Sequence, residues 1–189
     1  MTLGETDQVA RAALKARQGK GARYDAAGAP AEDLLMARRG TAYFARKLNE
    51  LSDNDLDGAA LRPDWTRRHV IAHVSYHARH QALLLEALVK GVAYTPPNDE
   101  KHQMPALDLA ATLPARALRH LFHHSEVHLN VCWRDLTDAH WDMPLTLPDS
   151  AATTVRALPM LRAREVWFGA LDLDNGGRRT DLPQAVLNL

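Results

Sequence analysis

The sequence predicts an all-α protein, and three observations support this fold class. Apolar residues recur near the 3.6-residue helical period in four long segments. Gly and Pro residues occur in the stretches between these segments, and predicted strands do not alternate with predicted helices. Hydrophobic residues are 46% of the chain and charged residues 24%, the profile of a folded domain. Four helices with two long connections predict a bundle, in which ligand sites lie between facing helices. Residues 1–30 are predicted to be an N-terminal extension and residues 31–189 the bundle domain.

Each helix is predicted from its own apolar pattern and its flanking signals. The first begins at Ala31 and ends where SDNDLDG interrupts the period. The second runs from near Trp65 to about Lys90, just before Gly91. The other predicted elements are a short helix over 5–18, a third bundle helix over 112–136, a fourth over 154–172, and long connections over 92–105 and 142–154, the latter with a short extended stretch.

Charge and composition argue against several classes of partner. Lys plus Arg and Asp plus Glu both number 23, whereas a surface that binds phosphates normally shows a basic excess, so no nucleic-acid partner is expected. No apolar run approaches the roughly 18 residues of a membrane span, and the N-terminus lacks the apolar segment of a secretory signal. The single cysteine, Cys132, cannot form an intrachain disulfide, which fits a cytoplasmic location.

Four of the ten histidines lie within HVIAHVSYHARH, residues 69–80. On a helix, His69, His73 and His77 fall one turn apart on a single face, and neutral imidazole is a common metal ligand. The spacing by itself is a weak signal, because the polar stripe of an ordinary helix has the same pattern. His80 lies off that line and is interpreted as a surface residue.

The third helix carries a second histidine series with the same spacing, His120, His124 and His128. Most of this series is interpreted as an ordinary polar face, and His124 is kept as a candidate pocket residue. Cys132 is interpreted as a small apolar core residue, since no neighbouring feature argues for a depressed thiol pKa.

Glu165 is the most unusual residue of the fourth helix. The apolar run Val-Trp-Phe follows it directly, and a carboxylate in such surroundings is costly unless it is paired or bound to a metal. A salt bridge with Arg162 or Arg164 is the alternative interpretation.

Four segments resemble one known family in the same order. They are RRGTAYFARKL (38–48), DWTRRHVIAHVSYHA (64–78), ALRHLFHHSEVHLNVCWRDL (117–136) and LPMLRAREVWFGALDLD (158–174). Together they resemble the N-terminal domain of mycothiol-dependent maleylpyruvate isomerases, which belongs to the DinB-like superfamily of metal-binding bundles. The resemblance covers most of residues 34–186. It implies a DinB-like four-helix bundle with long connections, here with a short extra N-terminal helix.

The resemblance also implies a divalent metal, zinc in this family. The family holds its zinc with a His of the second helix and with a Glu and a His of the fourth, and these positions fall on His73, Glu165 and Gly169. His77, one turn beyond His73, is a candidate replacement for the missing third ligand, so the predicted metal set is His73, His77 and Glu165. His124 is a second candidate. The rival interpretation is that the metal is lost and Gly169 opens room for a cofactor.

The reaction implied by the resemblance is the isomerisation of maleylpyruvate, a cis diacid, to fumarylpyruvate. An external thiol adds to the double bond, the resulting single bond rotates, and the thiol is expelled; a bound metal lowers the pKa of the thiol. Arginines would hold the two carboxylates, and the predicted order is Arg162, Arg68 and Arg39. Solvated or salt-bridged arginines are the alternative interpretation.

The sequence leaves the thiol and two other functions open. Full-length family members carry a C-terminal domain that helps to bind mycothiol, and these 189 residues lack it, so glutathione and ergothioneine are candidates beside mycothiol. Ergothioneine, a compact aromatic thiol, would suit a pocket widened at Gly169. The other functions are a thiol S-transferase of the same superfamily and a non-catalytic bundle that binds a metal or small molecule. A homodimer is expected by analogy, because DinB-like bundles often dimerise.

Overall fold

A computed structural model describes residues 24–94, 100–145 and 153–188, and within 100–105 it describes the backbone only. The predicted helix over 5–18 lies outside the described residues. Within them the regular secondary structure is helical apart from two short strands, so the predicted all-α class is confirmed. No helix of the described part combines the length and apolarity needed to cross a bilayer.

The helices and strands follow one another in a simple order. The helices are α1 (Ala31–Asn49), α2 (Arg67–Lys90), α3 (Glu100–Ala111), α4 (Ala115–Asp135), α5 (Asp138–Trp141), α6 (Leu158–Asp172) and α7 (Gln184–Leu187). Short 3₁₀ turns cover Asn54–Asp57, Val155–Ala157 and Arg179–Asp181. Strands β1 (Pro144–Leu145) and β2 (Thr153–Thr154) pair antiparallel, with Pro144 opposite Thr154.

The core lies between four long helices. Helix α1 packs on α6, and α2 packs on both α4 and α6, so α2 and α6 meet along their inner faces. The largest fully buried apolar side chains are Trp141, Phe44, Leu34, Leu56, Ile71, Leu85, Leu118, Leu129, Leu158 and Leu173. Burial of such apolar surface is the main force that holds a bundle together.

Local signals fix both ends of α2, the helix with the histidine motif. At its start the Thr66 N–H donates to His69 Nδ1 at 3.1 Å, which satisfies one of the free backbone donors of the first turn. The second nitrogen of His69 lies 3.3 Å from an oxygen of Asp108. At its end Gly91 has φ +65, the left-handed conformation that favours glycine after a helix. The predicted boundaries of this helix hold to within two residues.

Helix α3 corrects the predicted connection over residues 92–105. The backbone is helical from Glu100 to Ala111, although Pro105 lies inside it and a proline removes a helical hydrogen bond. Leu107 and Ala110 are buried, and α3 packs on α2. Packing of α3 on α2 therefore outweighs the local cost of the proline. The sequence-based prediction gave that cost too much weight and placed a connection here.

Gly40 allows α1 and α6 to approach closely. A Cβ atom at this position would lie 2.5 Å from Val166 Cγ2 and 2.8 Å from Trp167 Cδ1. Both neighbours are buried, so neither can move freely. Glycine is required here by the distance between the two helices and not by its backbone conformation.

We predict that Gly40→Ala destabilises the protein, although alanine is the better helix former. The added methyl overpacks the contact between α1 and α6, at a cost of about 1–3 kcal/mol in the free energy of unfolding. Urea denaturation measures this change. The matched control is Ala42→Gly at an exposed position of α1, where propensity alone should cost about 1 kcal/mol. Unchanged or increased stability of Gly40→Ala would contradict the close approach.

Candidate functional site

His73 and Glu165 meet where α2 packs on α6. His73 Nε2 lies 3.0 Å from Glu165 Oε1, and the two side chains are 28% and 18% exposed. The pair is therefore held by the bundle and still reachable from solvent. The ring of Trp65 stands edge-on against His73, with 5.2 Å between ring centroids, and restricts its orientation. The structure brings together the two residues that the sequence marked as metal ligands on different helices.

Glu165 keeps its charge despite its surroundings. Burial acts against the charged form, but the hydrogen bond from His73 and positive charges that include Arg162 outweigh it and hold the pKa of Glu165 at about 2. A carboxylate must be deprotonated to bind a metal ion. Glu165 meets that condition at neutral pH.

His77 faces a different partner from the one predicted. Its Nδ1 lies 3.3 Å from Nη1 of Arg162, so this nitrogen accepts from the guanidinium. Burial lowers the pKa of His77 to about 3, and the ring is neutral. Within the described residues, the one compact group of three metal-ligating side chains lies elsewhere, so the predicted set of His73, His77 and Glu165 is not preassembled.

Arg162 is buried, and both terminal nitrogens of its guanidinium have partners within the bundle. One nitrogen, Nη2, donates to Glu126 Oε1, and Nη1 donates to the backbone carbonyl of Val74 at 2.8 Å. Glu126 accepts a further hydrogen bond from Thr41 at 3.1 Å. Burial lowers the pKa of Arg162 to about 9, which leaves it charged at neutral pH. The partner of the guanidinium is thus a protein carboxylate, which corresponds to the alternative interpretation as a salt-bridged arginine and not to the predicted contact with a substrate carboxylate.

The other two predicted arginines lie apart from the pair of His73 and Glu165. Arg68 donates to Asp57 at 2.5 Å and to the carbonyl of Leu113 at 2.8 Å, which ties the start of α2 to the segments beside it. Arg39 is exposed on α1. No described contact joins either of them to His73 or Glu165, and Arg68 corresponds to the alternative interpretation as a salt-bridged arginine.

Gly169 does not open a cavity, in contrast to one expectation. A Cβ atom there would lie 2.6 Å from Val74 Cγ2 and 3.4 Å from Phe44 Cε2, so side chains of α1 and α2 already fill the space. His124 is exposed and lies between His120 and His128, with its ring stacked on that of His120 at 6.1 Å and tilted against that of His128 at 6.2 Å. Because His124 and Glu126 are two residues apart on α4, they point to opposite faces, and only Glu126 faces the bundle interior.

Sequence reasoning missed Arg62, which lies beside the site. Its guanidinium stacks over Trp65 at 4.7 Å and pairs with Asp172 at 3.0 Å, and its side chain is 40% exposed. Trp65 in turn contacts His73. An arginine followed three residues later by a tryptophan is a weak signal, and only the fold shows that the two flank a histidine.

A second group, also missed, lies between α2 and α4. Glu86, His128 and Cys132 place their ligand atoms within 4.8 Å of one another. His128 and Cys132 have the four-residue spacing that was noted for the histidines, but the sequence does not show that Glu86 of another helix joins them.

The fold and the pair of His73 and Glu165 define a DinB-like four-helix bundle with a histidine and a glutamate facing one another across two helices. The chain belongs to the mycothiol maleylpyruvate isomerase N-terminal domain family, whose sequence model matches residues 37–174. The family membership predicted from the sequence segments is confirmed.

Two solved structures are similar to this chain over most of its length. They are the mycothiol-dependent maleylpyruvate isomerase and a histidine-to-alanine mutant of it, each with a TM-score of 0.80 and 28% sequence identity. Each match covers 84% of this chain and 66% of the other, so the chain spans just under two thirds of the length of those proteins. Among curated proteins, none matches this chain significantly.

We predict that Glu126→Leu lowers the free energy of unfolding by roughly 3–5 kcal/mol, because it leaves the buried charge of Arg162 unpaired. The double variant Glu126→Leu/Arg162→Met removes both charges and should recover most of the loss. Urea denaturation of the single and double variants measures both quantities. A double variant no more stable than Glu126→Leu would show that the ion pair is not the source of the effect.

We also predict that the metal-free protein loses stability in mild acid because of His77. The pKa of His77 is about 3 in the folded chain and near 6.5 when unfolded, so the unfolded state binds a proton first. His77 therefore leaves the free energy of unfolding unchanged above pH 6.5 and lowers it progressively as pH falls toward 3, by about 1–2 kcal/mol at pH 5. Unfolding free energies at pH 7 and pH 5 should differ less in His77→Asn than in the wild type. The exposed His123 gives the control, and His123→Asn should keep the wild-type slope.

Proposed function

We propose that this chain catalyses a thiol-dependent, metal-assisted cis-trans isomerisation of a maleylpyruvate-type diacid. The observation that carries the proposal is the contact between His73 and Glu165, at the positions where the family places two of its metal ligands. Family membership and the similarity to two isomerase structures support the reaction class.

The donor atoms of His73 and Glu165 suit a divalent ion such as zinc. His73 Nε2 and Glu165 Oε1 lie 3.0 Å apart, and both atoms could contact one ion that takes the place of the hydrogen between them. His77 is the proposed third ligand, and it would exchange its contact with Arg162 for the metal. A bound metal supplies a low thiol pKa, so that a thiolate is present near neutral pH. Trp65 orients this site, because its ring packs against His73 and restricts the orientation of the imidazole.

Arg62 is the residue we assign to the substrate carboxylate. It is partly exposed, it is fixed over Trp65, and its pairing with Asp172 leaves other guanidinium N–H groups able to donate. An arginine fork matches a carboxylate in geometry and charge. Arg162 takes a positioning role instead, since Glu126 already neutralises it.

A thiol S-transferase is the second candidate, and one observation favours it. The buried Arg162, first among the predicted carboxylate-binding residues, is occupied by Glu126. With Arg162 occupied, the site has fewer free cations for the two carboxylates of a diacid, which favours an uncharged electrophile. Both candidates require a low-molecular-weight thiol, with mycothiol, glutathione and ergothioneine as the compounds to compare.

The test combines metal analysis with assays of the purified chain. We expect zinc to bind, maleylpyruvate to be turned over with at least one of the three thiols, and His73→Ala and Glu165→Gln to lower zinc affinity and kcat/KM by about 100-fold or more, because loss of an outer-shell partner already costs roughly 10–100-fold. His123→Ala on the exposed face of α4 is the control. These measurements use the Cys132→Ser background, so that the group around Cys132 does not contribute.

The outcomes separate the candidates. Transfer of the thiol to an added electrophile without maleylpyruvate turnover would favour the S-transferase. Activity that needs no metal and is the same in the wild type and in His73→Ala would rule out both candidates. In the same assay Arg62→Gln should raise KM for the diacid and leave zinc content unchanged. Sedimentation of the same preparation tests the homodimer, which stays a prediction.

A further inference from the structure

A group of three unlike ligand side chains lies between α2 and α4, away from the site described above. His128 Nε2 lies 2.7 Å from Glu86 Oε1, and the ligand atoms of Glu86, His128 and Cys132 are all within 4.8 Å of one another. Glu86 and His73 are thirteen residues apart on α2, which corresponds to about 20 Å along the helix at 1.5 Å per residue. The two groups are therefore separate sites.

Packing of two helices creates this arrangement. His128 and Cys132 are four residues apart and lie one above the other on α4, and the contact between α4 and α2 brings Glu86 opposite them. Four ligands around a zinc ion are roughly 3.3–3.8 Å apart, given metal–ligand distances of about 2.0–2.3 Å. The present spacing needs only small side-chain adjustments to reach that geometry.

The group borders a partly open groove. The groove has a volume of about 190 Å³ and is lined by apolar side chains such as Leu85 and Leu136 together with all three ligand residues. Glu86 directs one oxygen to His128, while its other oxygen lies 3.7 Å from the Lys90 ammonium. One carboxylate oxygen is thus available to the group without loss of the surface ion pair.

The donor atoms determine which ion would bind. A thiolate, an imidazole and a carboxylate form a mixed set that suits zinc and its neighbours, whereas calcium and magnesium prefer oxygen ligands alone. Three protein ligands leave one tetrahedral position for water or another exchangeable ligand. Burial and the charges of Glu86 and Asp135 raise the pKa of Cys132 to about 11 in the metal-free chain.

We propose that Glu86, His128 and Cys132 form a second divalent-metal site, of the zinc type, that joins α2 to α4. Binding replaces the proton of the Cys132 thiol with the metal ion and releases that proton to solvent, with no change in oxidation state. The proposal does not rest on the proposed isomerase function, since none of its residues belongs to the site of His73 and Glu165.

Cobalt(II) titration tests this site, because a thiolate bound to cobalt gives a charge-transfer absorption in the near ultraviolet. Cys132 is the only cysteine in the chain. In buffer with a phosphine reductant and no added thiol, any such band therefore reports on this residue. We expect the band to grow to one equivalent, to disappear when zinc is added, and to persist in His73→Ala, which separates this site from the proposed active site.

Three variants make the test decisive. Cys132→Ser should remove the band, Glu86→Gln should weaken cobalt binding at least about tenfold, and His123→Ala should change neither, since His123 lies on the exposed face of α4. Circular dichroism shows whether each variant is folded. Absence of the band in the wild type at saturating cobalt, or the same band in Cys132→Ser, would overturn the proposal. Should Cys132→Ser fail to fold, unchanged affinity in Glu86→Gln would overturn it equally.

Discussion

The buried charge of Arg162 is the constraint on which the arrangement of the bundle depends. Arg162 projects from α6 and donates to Glu126 of α4 and to the carbonyl of Val74 on α2. Glu126 in turn accepts a hydrogen bond from Thr41 of α1. One network of polar contacts therefore reaches all four long helices. A charge removed from water is tolerated only while its partners stay in place, so this network favours one relative placement of the helices over other ways of packing the same apolar faces.

The same constraint shapes the candidate site. Arg162 lies one turn before Glu165 on α6 and contacts His77 of α2, so the helices that carry the site are joined at its base. This contact occupies His77, which leaves His73 and Glu165 as the pair with atoms already facing one another. Close packing of Val74 against Gly169 fills the space that a longer side chain at residue 169 would need. The site thus combines the facing pair of His73 and Glu165 with a neighbouring histidine that accepts from Arg162.

Helix α2 contributes to two groups of imidazole and carboxylate side chains because its faces meet different neighbours. Near its first half His73 meets Glu165 of α6, and near its end Glu86 meets His128 and Cys132 of α4. Both groups combine an imidazole with a carboxylate from a different helix. The first group is partly exposed and lies beside Arg62 and Trp65, whereas the second contains a buried thiol.

The sequence by itself determined the all-α class, the limits of α2 and the family, because these depend on local periodicity, on caps such as Thr66 and Gly91, and on motif order. It also marked Glu165 through its apolar neighbours, whereas His73 was set apart from the other histidines of its stripe only through the resemblance. Tertiary structure decided the rest: whether Arg162 meets a substrate or Glu126, whether Gly169 is a cavity or a contact, and whether Cys132 has ligand neighbours. These outcomes depend on distances between helices that are far apart in the sequence. The periodicity of a sequence predicts the face of a helix on which a side chain lies, but it does not predict what packs against that face.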